Sequence, residues 1–179
     1  MENENFSYAG FWKRFLAYII DQIILSIVNT VLFVPLFLLL IGAGIFTFEG
    51  LEEFDGIYTT SFVLQEYSDE FYFAFLSVFI VAIIFFSILS MIIQWLYFAL
   101  MESSARKATL GKMALGIIVV DYSGNRITFG QATGRYFGKI ISGLIFYIGF
   151  IMAGFTEKKQ ALHDMLASCL VINSSHNLN

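Results

Sequence analysis

The chain has 179 residues, of which 58% are hydrophobic and only 13% are charged, and its formal net charge is −4. A soluble domain is about 45–50% apolar and roughly 25% charged, so too few charges remain here to cover a water-exposed surface. The composition excludes an ordinary soluble globule and predicts one mainly α-helical, polytopic membrane domain over residues 1–179.

The first predicted element is a membrane-spanning helix over about residues 15–42. Its apolar run follows Lys13 and Arg14 and contains Pro35. The run is much longer than the ~7–15 apolar residues of a cleaved signal peptide. We therefore expect an uncleaved span with a kink near Pro35, since proline removes one helical hydrogen bond.

An acidic segment, residues 47–70, separates this span from a second one over about residues 71–101. The acidic segment holds seven carboxylates, and no basic residue lies between Arg14 and Arg106. Cytoplasmic loops carry the excess of Lys and Arg. The N-terminus and residues 102–139 are therefore predicted to be cytoplasmic, and residues 47–70 to form an external loop.

Residues 102–139 are predicted to contain a short β-hairpin. A β-branched run at 115–120 leads through Ser123, Gly124 and Asn125 to a second run at 126–129, which is typical of a hairpin. The basic residues of this segment lie next to a span, so they suit anionic lipid headgroups better than nucleic acid.

The sequence does not decide whether the C-terminal hydrophobic region, residues 140–172, crosses the membrane. Its most apolar part, 140–155, has 16 residues and three glycines. A straight span needs about 20 residues, so this part is either a tilted third span or a re-entrant segment.

Asp21 is the most informative polar residue, because a carboxylate at mid-membrane costs about 2.5–3.5 kcal/mol without a partner or water path. Arg14 precedes it by two helical turns, roughly 10 Å along the axis, so ideal helix geometry gives no direct contact, but a snorkelling arginine leaves partial pairing open. A supporting polar stripe lies on the same side of span 1 and on one face of span 2: Gln22, Ser26, Asn29, Ser90 and Gln94. Such residues commonly form interhelical hydrogen bonds, whereas Asp21 is open to a structural pair or to proton or cation handling.

Enzyme signatures do not occur in the sequence. There is no nucleophile elbow, P-loop, dinucleotide fingerprint or zinc-protease motif, and one cysteine with two histidines gives no metal-ligand spacing. We therefore expect a protein that is not an enzyme and that uses no cofactor or metal.

Three blocks resemble the RDD family of bacterial membrane proteins, which is named for one arginine and two aspartates. The blocks are AGFWKRFLAYIID at 9–21, TLGKMALGIIVVD at 109–121 and KQALHDMLA at 159–167. The resemblance implies that Arg14, Asp21 and Asp164 form one set. Some family members are associated with sodium or potassium/proton antiport.

These observations support two hypotheses of different classes. The first is a transport-related, multi-pass protein of the bacterial cytoplasmic membrane, with its N-terminus in the cytoplasm. Asp21 would then bind Na⁺, K⁺ or H⁺, with Asp164 as a second carboxylate and Arg14 tuning or orienting the two. A homo-oligomer or a partner membrane protein would be needed to enclose a pathway. The alternative is a non-catalytic scaffold or accessory subunit that recruits a protein or an anionic lipid, with Arg14, Asp21 and Asp164 as a structural charge network.

Overall fold

The computed structural model describes residues 6–55 and 61–174, with side chains outside residues 43–71. Two long helices come first, and shorter elements follow them. In chain order the elements are α1 (Phe11–Asp55), α2 (Ser61–Glu102), α3 (Leu110–Ala114), β1 (Ile117–Asp121), α4 (Phe129–Leu144), α5 (Ile148–Ile151), a 3₁₀ turn (Met152–Gly154), α6 (Leu162–Leu166) and β2 (Cys169–Asn173).

The two predicted membrane spans are confirmed as helices. Segments Phe11–Gly42 of α1 and Tyr72–Glu102 of α2 are long and apolar enough to cross a bilayer. A helix satisfies all its backbone hydrogen bonds internally, as the bilayer core requires. Helix α1 continues through Pro35.

The acidic segment differs from the loop expected over residues 47–70. Helix α1 continues to Asp55 and α2 begins at Ser61, so most of this segment is helical. Residues 56–60 lie outside the described residues. Leucine and glutamate are good helix formers, and they extend both helices beyond the apolar stretches.

The chain divides into two compact units, which we describe separately. The long-helix unit is Ser26–Ile92, and the charged unit combines Met1–Leu25 with Ile93–Asn179. In the long-helix unit, ring pairs join the two helices: Phe33 and Phe86 have centroids 5.2 Å apart, and Phe37 and Phe79 have centroids 5.3 Å apart. Many of its aliphatic side chains are exposed, as expected for a surface that faces lipid.

A two-stranded antiparallel sheet is present in the charged unit, as predicted, but its second strand comes from the far end of the chain. Strand β1 pairs with β2, with Ile117 opposite Asn173 and Asp121 opposite Cys169. The expected partner run, 126–129, forms only an isolated bridge between Val120 and Arg126.

The run 126–129 does not continue as a strand because Thr128 begins a helix. The Thr128 side chain accepts a hydrogen bond from the backbone N–H of Gln131, and the Gln131 side chain accepts one from the backbone N–H of Thr128. This capping box is a strong helix start signal. It fixes the N-terminus of α4 and leaves β1 to pair with β2.

The sheet packs against the beginning of α1 and the end of α2. Ile117, Val119 and Val171 form a buried core with Ala17 of α1 and Ala99 of α2. Cys169 is fully buried beside this core, and its Sγ donates to the Ala167 carbonyl at 3.0 Å. Burial raises the pKa of the Cys169 thiol to about 11, so it stays protonated.

The C-terminal hydrophobic region contains a sharp bend. Helix α4 and the α5–3₁₀ pair meet at 117°, an arrangement that fits either a broken span or a re-entrant loop. Phe146 and Tyr147 at the break both have positive φ, at 54° and 61°. The remainder of the region, after the 3₁₀ turn, forms α6 and β2 rather than a further apolar helix.

Candidate functional site

Asp164 lies at the centre of a buried charge network in the charged unit. It sits in the first turn of α6, where one carboxylate oxygen, Oδ2, accepts the backbone N–H of Ala161 at 3.1 Å. Arg14 of α1 forms an ion pair with Oδ2, and Nη2 of Arg135 on α4 lies 2.8 Å from Oδ1. Burial alone would raise the pKa of Asp164, but the two guanidinium groups outweigh it and hold the pKa well below its usual range. Asp164 is therefore an ionised carboxylate with two arginine partners.

Glu102, the last residue of α2, is the second carboxylate of this network. Its Oε1 lies 2.5 Å from Lys112 Nζ and 3.7 Å from Lys139 Nζ, and its Oε2 lies 3.3 Å from Arg135 Nη1. Arg135 thus bridges Glu102 and Asp164, and all three side chains are almost completely buried. Burial lowers the pKa of Lys112 to about 8, although Glu102 opposes this shift.

Glu102 and its partners are not predicted from the sequence. The sequence predicts lipid headgroup contact for the basic residues of 102–139, whereas in the structure Lys112, Arg135 and Lys139 pair with a carboxylate inside the protein. Arg106 and Arg126 of the same segment are exposed. The available signal was the position of Glu102, an acidic residue that directly follows an uncharged apolar run and precedes a basic segment.

Asp21 occupies a different environment, apart from Arg14. Its Oδ1 accepts hydrogen bonds from the Tyr97 hydroxyl and from the Gly111 backbone N–H, both at 2.7 Å, and its Oδ2 accepts one from the Thr109 hydroxyl at 2.6 Å. The carboxylate is fully buried. Its three donors are neutral, and two of them belong to the turn that starts α3. Asp21 therefore attaches that turn to α1.

Gly111 is required for this close approach. A Cβ atom at Gly111 would lie 2.1 Å from the Ala17 carbonyl oxygen and 2.9 Å from the Asp21 Cγ. Any other residue would push the turn away from α1 and lengthen the hydrogen bond to Asp21.

The polar stripe residues pair across α1 and α2. Gln94 Nε2 donates to Gln22 Oε1 at 3.1 Å in the charged unit, and the Tyr136 hydroxyl donates to Gln94 Oε1 at 3.2 Å. In the long-helix unit, Asn29 Nδ2 donates to Ser90 Oγ at 3.0 Å. Ser26 of α1 is exposed.

A cavity of about 350 Å³ lies within the charged unit. Aromatic and aliphatic side chains form most of its wall, including Phe15 and Tyr18 of α1 and Tyr147, Phe150 and Ile151 near the bend. Its charged lining residues are Arg14, Lys112, Arg135, Lys139 and Asp21.

His163 also lines the cavity, beside Asp164. Its Nδ1 lies 3.5 Å from Ser142 Oγ, and its ring centroid lies 5.1 Å from that of Phe150. Burial lowers the pKa of His163 to about 3, so the imidazole is neutral at physiological pH. Within residues 6–55 and 61–174, no group of three or more His, Cys, Asp or Glu residues is arranged to hold a metal ion.

Comparison with known proteins places these residues in a family context. The model of the RDD family matches residues 8–168, a range that includes Arg14, Asp21 and Asp164. The chain is 40% identical over 164 residues to the uncharacterized protein YxaI of Bacillus subtilis (strain 168), covering 92% of this chain and 96% of that protein. It is 29% identical over 173 residues to the uncharacterized membrane protein YteJ of the same organism, covering 93% of this chain and 82% of that protein. No solved structure matches the chain.

Proposed function

This chain belongs to the RDD family of membrane proteins, and from the contacts of its buried charges we propose that it is a non-catalytic accessory protein of the bacterial cytoplasmic membrane. In this proposal the charge network attaches the small elements after α2 to the ends of the two spanning helices. The resulting folded unit serves to bind a partner at the membrane surface, and no ion crosses the protein.

The observation that carries the proposal is that each of the three buried carboxylates already has partners within the protein. Asp164 has two arginine partners, Glu102 has three basic partners, and Asp21 accepts three hydrogen bonds. A carboxylate that binds and releases a cation must exchange its partners during each cycle. Breaking a buried ion pair by removing one partner costs about 3–5 kcal/mol, which opposes such exchange at Asp164 and Glu102.

The charge of the cavity supports the same proposal. Four basic residues and one acidic residue line it. Glu102 and Asp164 are paired behind these basic residues, so one net positive charge remains, and in a medium of low dielectric constant it repels Na⁺ and K⁺. The cavity is therefore poorly suited to conduct cations.

Cation/proton exchange, the first hypothesis from the sequence, becomes our second candidate, and one observation favours it. Asp21 lines the cavity, and its partners are neutral donors rather than cations. If exchange occurs, Asp21 is the carboxylate that carries it, and a homo-oligomer or partner membrane protein completes the pathway.

The proposed orientation places the N-terminus and residues 102–139 in the cytoplasm. It is supported by the distribution of basic residues, which flank the apolar segments on that side and do not occur between Arg14 and Arg106. The elements attached by the charge network would then face cytoplasmic partners.

The test is a proton-gradient assay in everted membrane vesicles from an antiporter-deficient host. Wild type and Asp21→Asn are compared at matched abundance, with empty vesicles and vesicles that contain an established antiporter as controls. We expect no Na⁺- or K⁺-dependent collapse of the gradient above empty vesicles for either form. Collapse by wild type that disappears in Asp21→Asn would overturn the accessory proposal and establish the exchange candidate.

A further inference from the structure

We propose that the cavity of the charged unit binds the phosphate-bearing headgroup of an anionic membrane lipid, with the acyl chains passing along its aromatic rim. This inference deepens the proposed function, on which it rests, by giving a binding site to the anionic lipid that the accessory hypothesis names.

The cavity carries an excess of positive charge. Arg14, Lys112, Arg135 and Lys139 line it, whereas Glu102 and Asp164 lie behind them and Asp21 is the acidic lining residue. Four cations thus face three carboxylates, and the oxygens of Asp21 already accept three hydrogen bonds. The remaining positive charge favours an anion in the cavity.

Some of the basic groups at the cavity have donors without acceptors. Arg14 Nη2, Arg135 Nε and Arg135 Nη1 are buried and have no hydrogen-bond partner among the described residues, and the same holds for one acceptor of the network, Asp164 Oδ1. Lys139 Nζ lies 3.7 Å from Glu102 and 4.1 Å from the Phe98 ring centroid, and the first distance is longer than a good hydrogen bond. Buried N–H groups are normally paired, and a phosphate offers several strong acceptor oxygens.

The apolar mouth of the cavity distinguishes a lipid from a soluble anion. Aromatic rings are exposed there: Phe15 is 43% exposed, Tyr18 46% and Tyr147 67%. Phe15 and Tyr18 belong to the first turns of a candidate span, where aromatic side chains lie at headgroup level. A soluble phosphate has no apolar part that could contact these rings, whereas the acyl chains of a lipid would cover them.

Size agrees with a headgroup rather than a whole lipid. The volume of about 350 Å³ is at the lower end of the range for small-ligand pockets, ~300–1,000 Å³. The headgroup would occupy the cavity, and the chains would remain in the bilayer.

The experiment measures lipid binding to the purified full-length protein in detergent by native mass spectrometry. The probes are dioleoyl phosphatidylglycerol, dioleoyl phosphatidic acid and zwitterionic dioleoyl phosphatidylcholine. Two variants test the cavity: Lys139→Gln removes a charge, and Ala153→Leu adds volume at a buried lining residue without changing any charge. Arg106→Gln removes an exposed charge outside the cavity and serves as the matched control.

We expect one anionic lipid per chain to bind in preference to phosphatidylcholine. Lys139→Gln should weaken binding of the anionic lipids about tenfold, the loss that corresponds to one charge-assisted hydrogen bond. Ala153→Leu should also weaken it, and Arg106→Gln should leave it unchanged. Each variant is included only if its thermal unfolding transition is retained, and either cavity variant alone is sufficient for the test.

Three results would overturn the inference. They are equal binding of phosphatidylcholine, unchanged binding in the cavity variants, and displacement of the lipid by inorganic phosphate, which would identify a soluble anion as the ligand. None of them would alter the proton-gradient assay, so this inference and the proposed function can fail separately.

Discussion

The long-helix unit and the charged unit hold their helices together by different means. Among the described side chains of the long-helix unit, the hydrogen bond from Asn29 to Ser90 accompanies contacts between phenylalanine rings. In the charged unit, Arg135 joins two buried carboxylates that belong to α2 and α6.

Lipid explains the difference. Apolar helices gain little by burying apolar surface against each other in a bilayer, because acyl chains are equally apolar. Packing and single hydrogen bonds therefore suffice where a helix only has to span the bilayer. A buried charge network tolerates few alternative arrangements, since each broken pair leaves an uncompensated charge. The charged unit should consequently be much more sensitive to substitution, and four predictions test this contrast.

The largest effect is expected for Asp164→Asn. The change leaves Arg14 and Arg135 with one carboxylate fewer in a buried site. It should reduce the free energy of unfolding by about 3–5 kcal/mol, measured by denaturant titration in detergent micelles. Glu157→Gln, at an exposed acidic position, should stay within about 0.5 kcal/mol of wild type. Equal effects of the two changes would show that the network contributes no specific stability.

The next effect concerns the turn that Asp21 holds. Gly111→Ala should cost about 3 kcal/mol, because its Cβ would lie 2.1 Å from the Ala17 carbonyl oxygen. Gly134→Ala is the matched control: it lies inside α4, and a Cβ added there would meet nothing within 4 Å. The control should be neutral or stabilise the protein by about 0.5–1 kcal/mol. A harmless Gly111→Ala would mean that the turn does not dock closely on α1.

Protonation of the buried His163 should destabilise the charged unit. Burial lowers the pKa of His163 from 6.5 to about 3. As the pH falls, His163 is therefore protonated in the unfolded chain at a higher pH than in the folded chain. The neutral His163 imidazole therefore makes its full contribution to the free energy of unfolding above pH 6.5, and this contribution decreases below that pH. Between pH 7 and pH 5 the free energy of unfolding should fall by about 2 kcal/mol.

The control for this prediction is His163→Gln, which should flatten the pH dependence in that interval. An unchanged slope in His163→Gln would assign the effect to other groups.

The smallest effect is expected in the long-helix unit. Asn29→Ala removes the hydrogen bond to Ser90 and should cost about 0.6 kcal/mol, the average for interhelical hydrogen bonds in membranes. The same unfolding titration in micelles measures it. A loss as large as that of Asp164→Asn would remove the contrast between the two units.

Local patterns allowed some of this structure to be predicted from the sequence. The spans follow from predominantly apolar runs of about 30 residues, and β1 follows from its β-branched residues. The family resemblance grouped Arg14 with Asp164, and the structure places these two in contact. It also grouped Asp21 with them, whereas the structure gives Asp21 neutral partners of its own.

The contacts that could not be predicted join distant parts of the chain. Arg14 and Asp164 are 150 positions apart, and Asp21 and Gly111 are 90 apart. Helical periodicity relates residues only within one element, so it gives no information about such pairs. The pairing of β1 with β2 could not be predicted for the same reason. The nearer run, 126–129, follows a turn sequence typical of a hairpin, but its residues Thr128 and Phe129 begin α4 instead.

The burial of Cys169 gives the protein an internal reporter. It is the one cysteine of the sequence, it is fully buried at the start of β2, and its thiol stays protonated in the folded chain. Maleimide reagents react with accessible thiolates, so labelling of this residue should require the sheet to open. The labelling rate in intact membranes would then measure how often the charged unit opens, without purification and without an engineered probe.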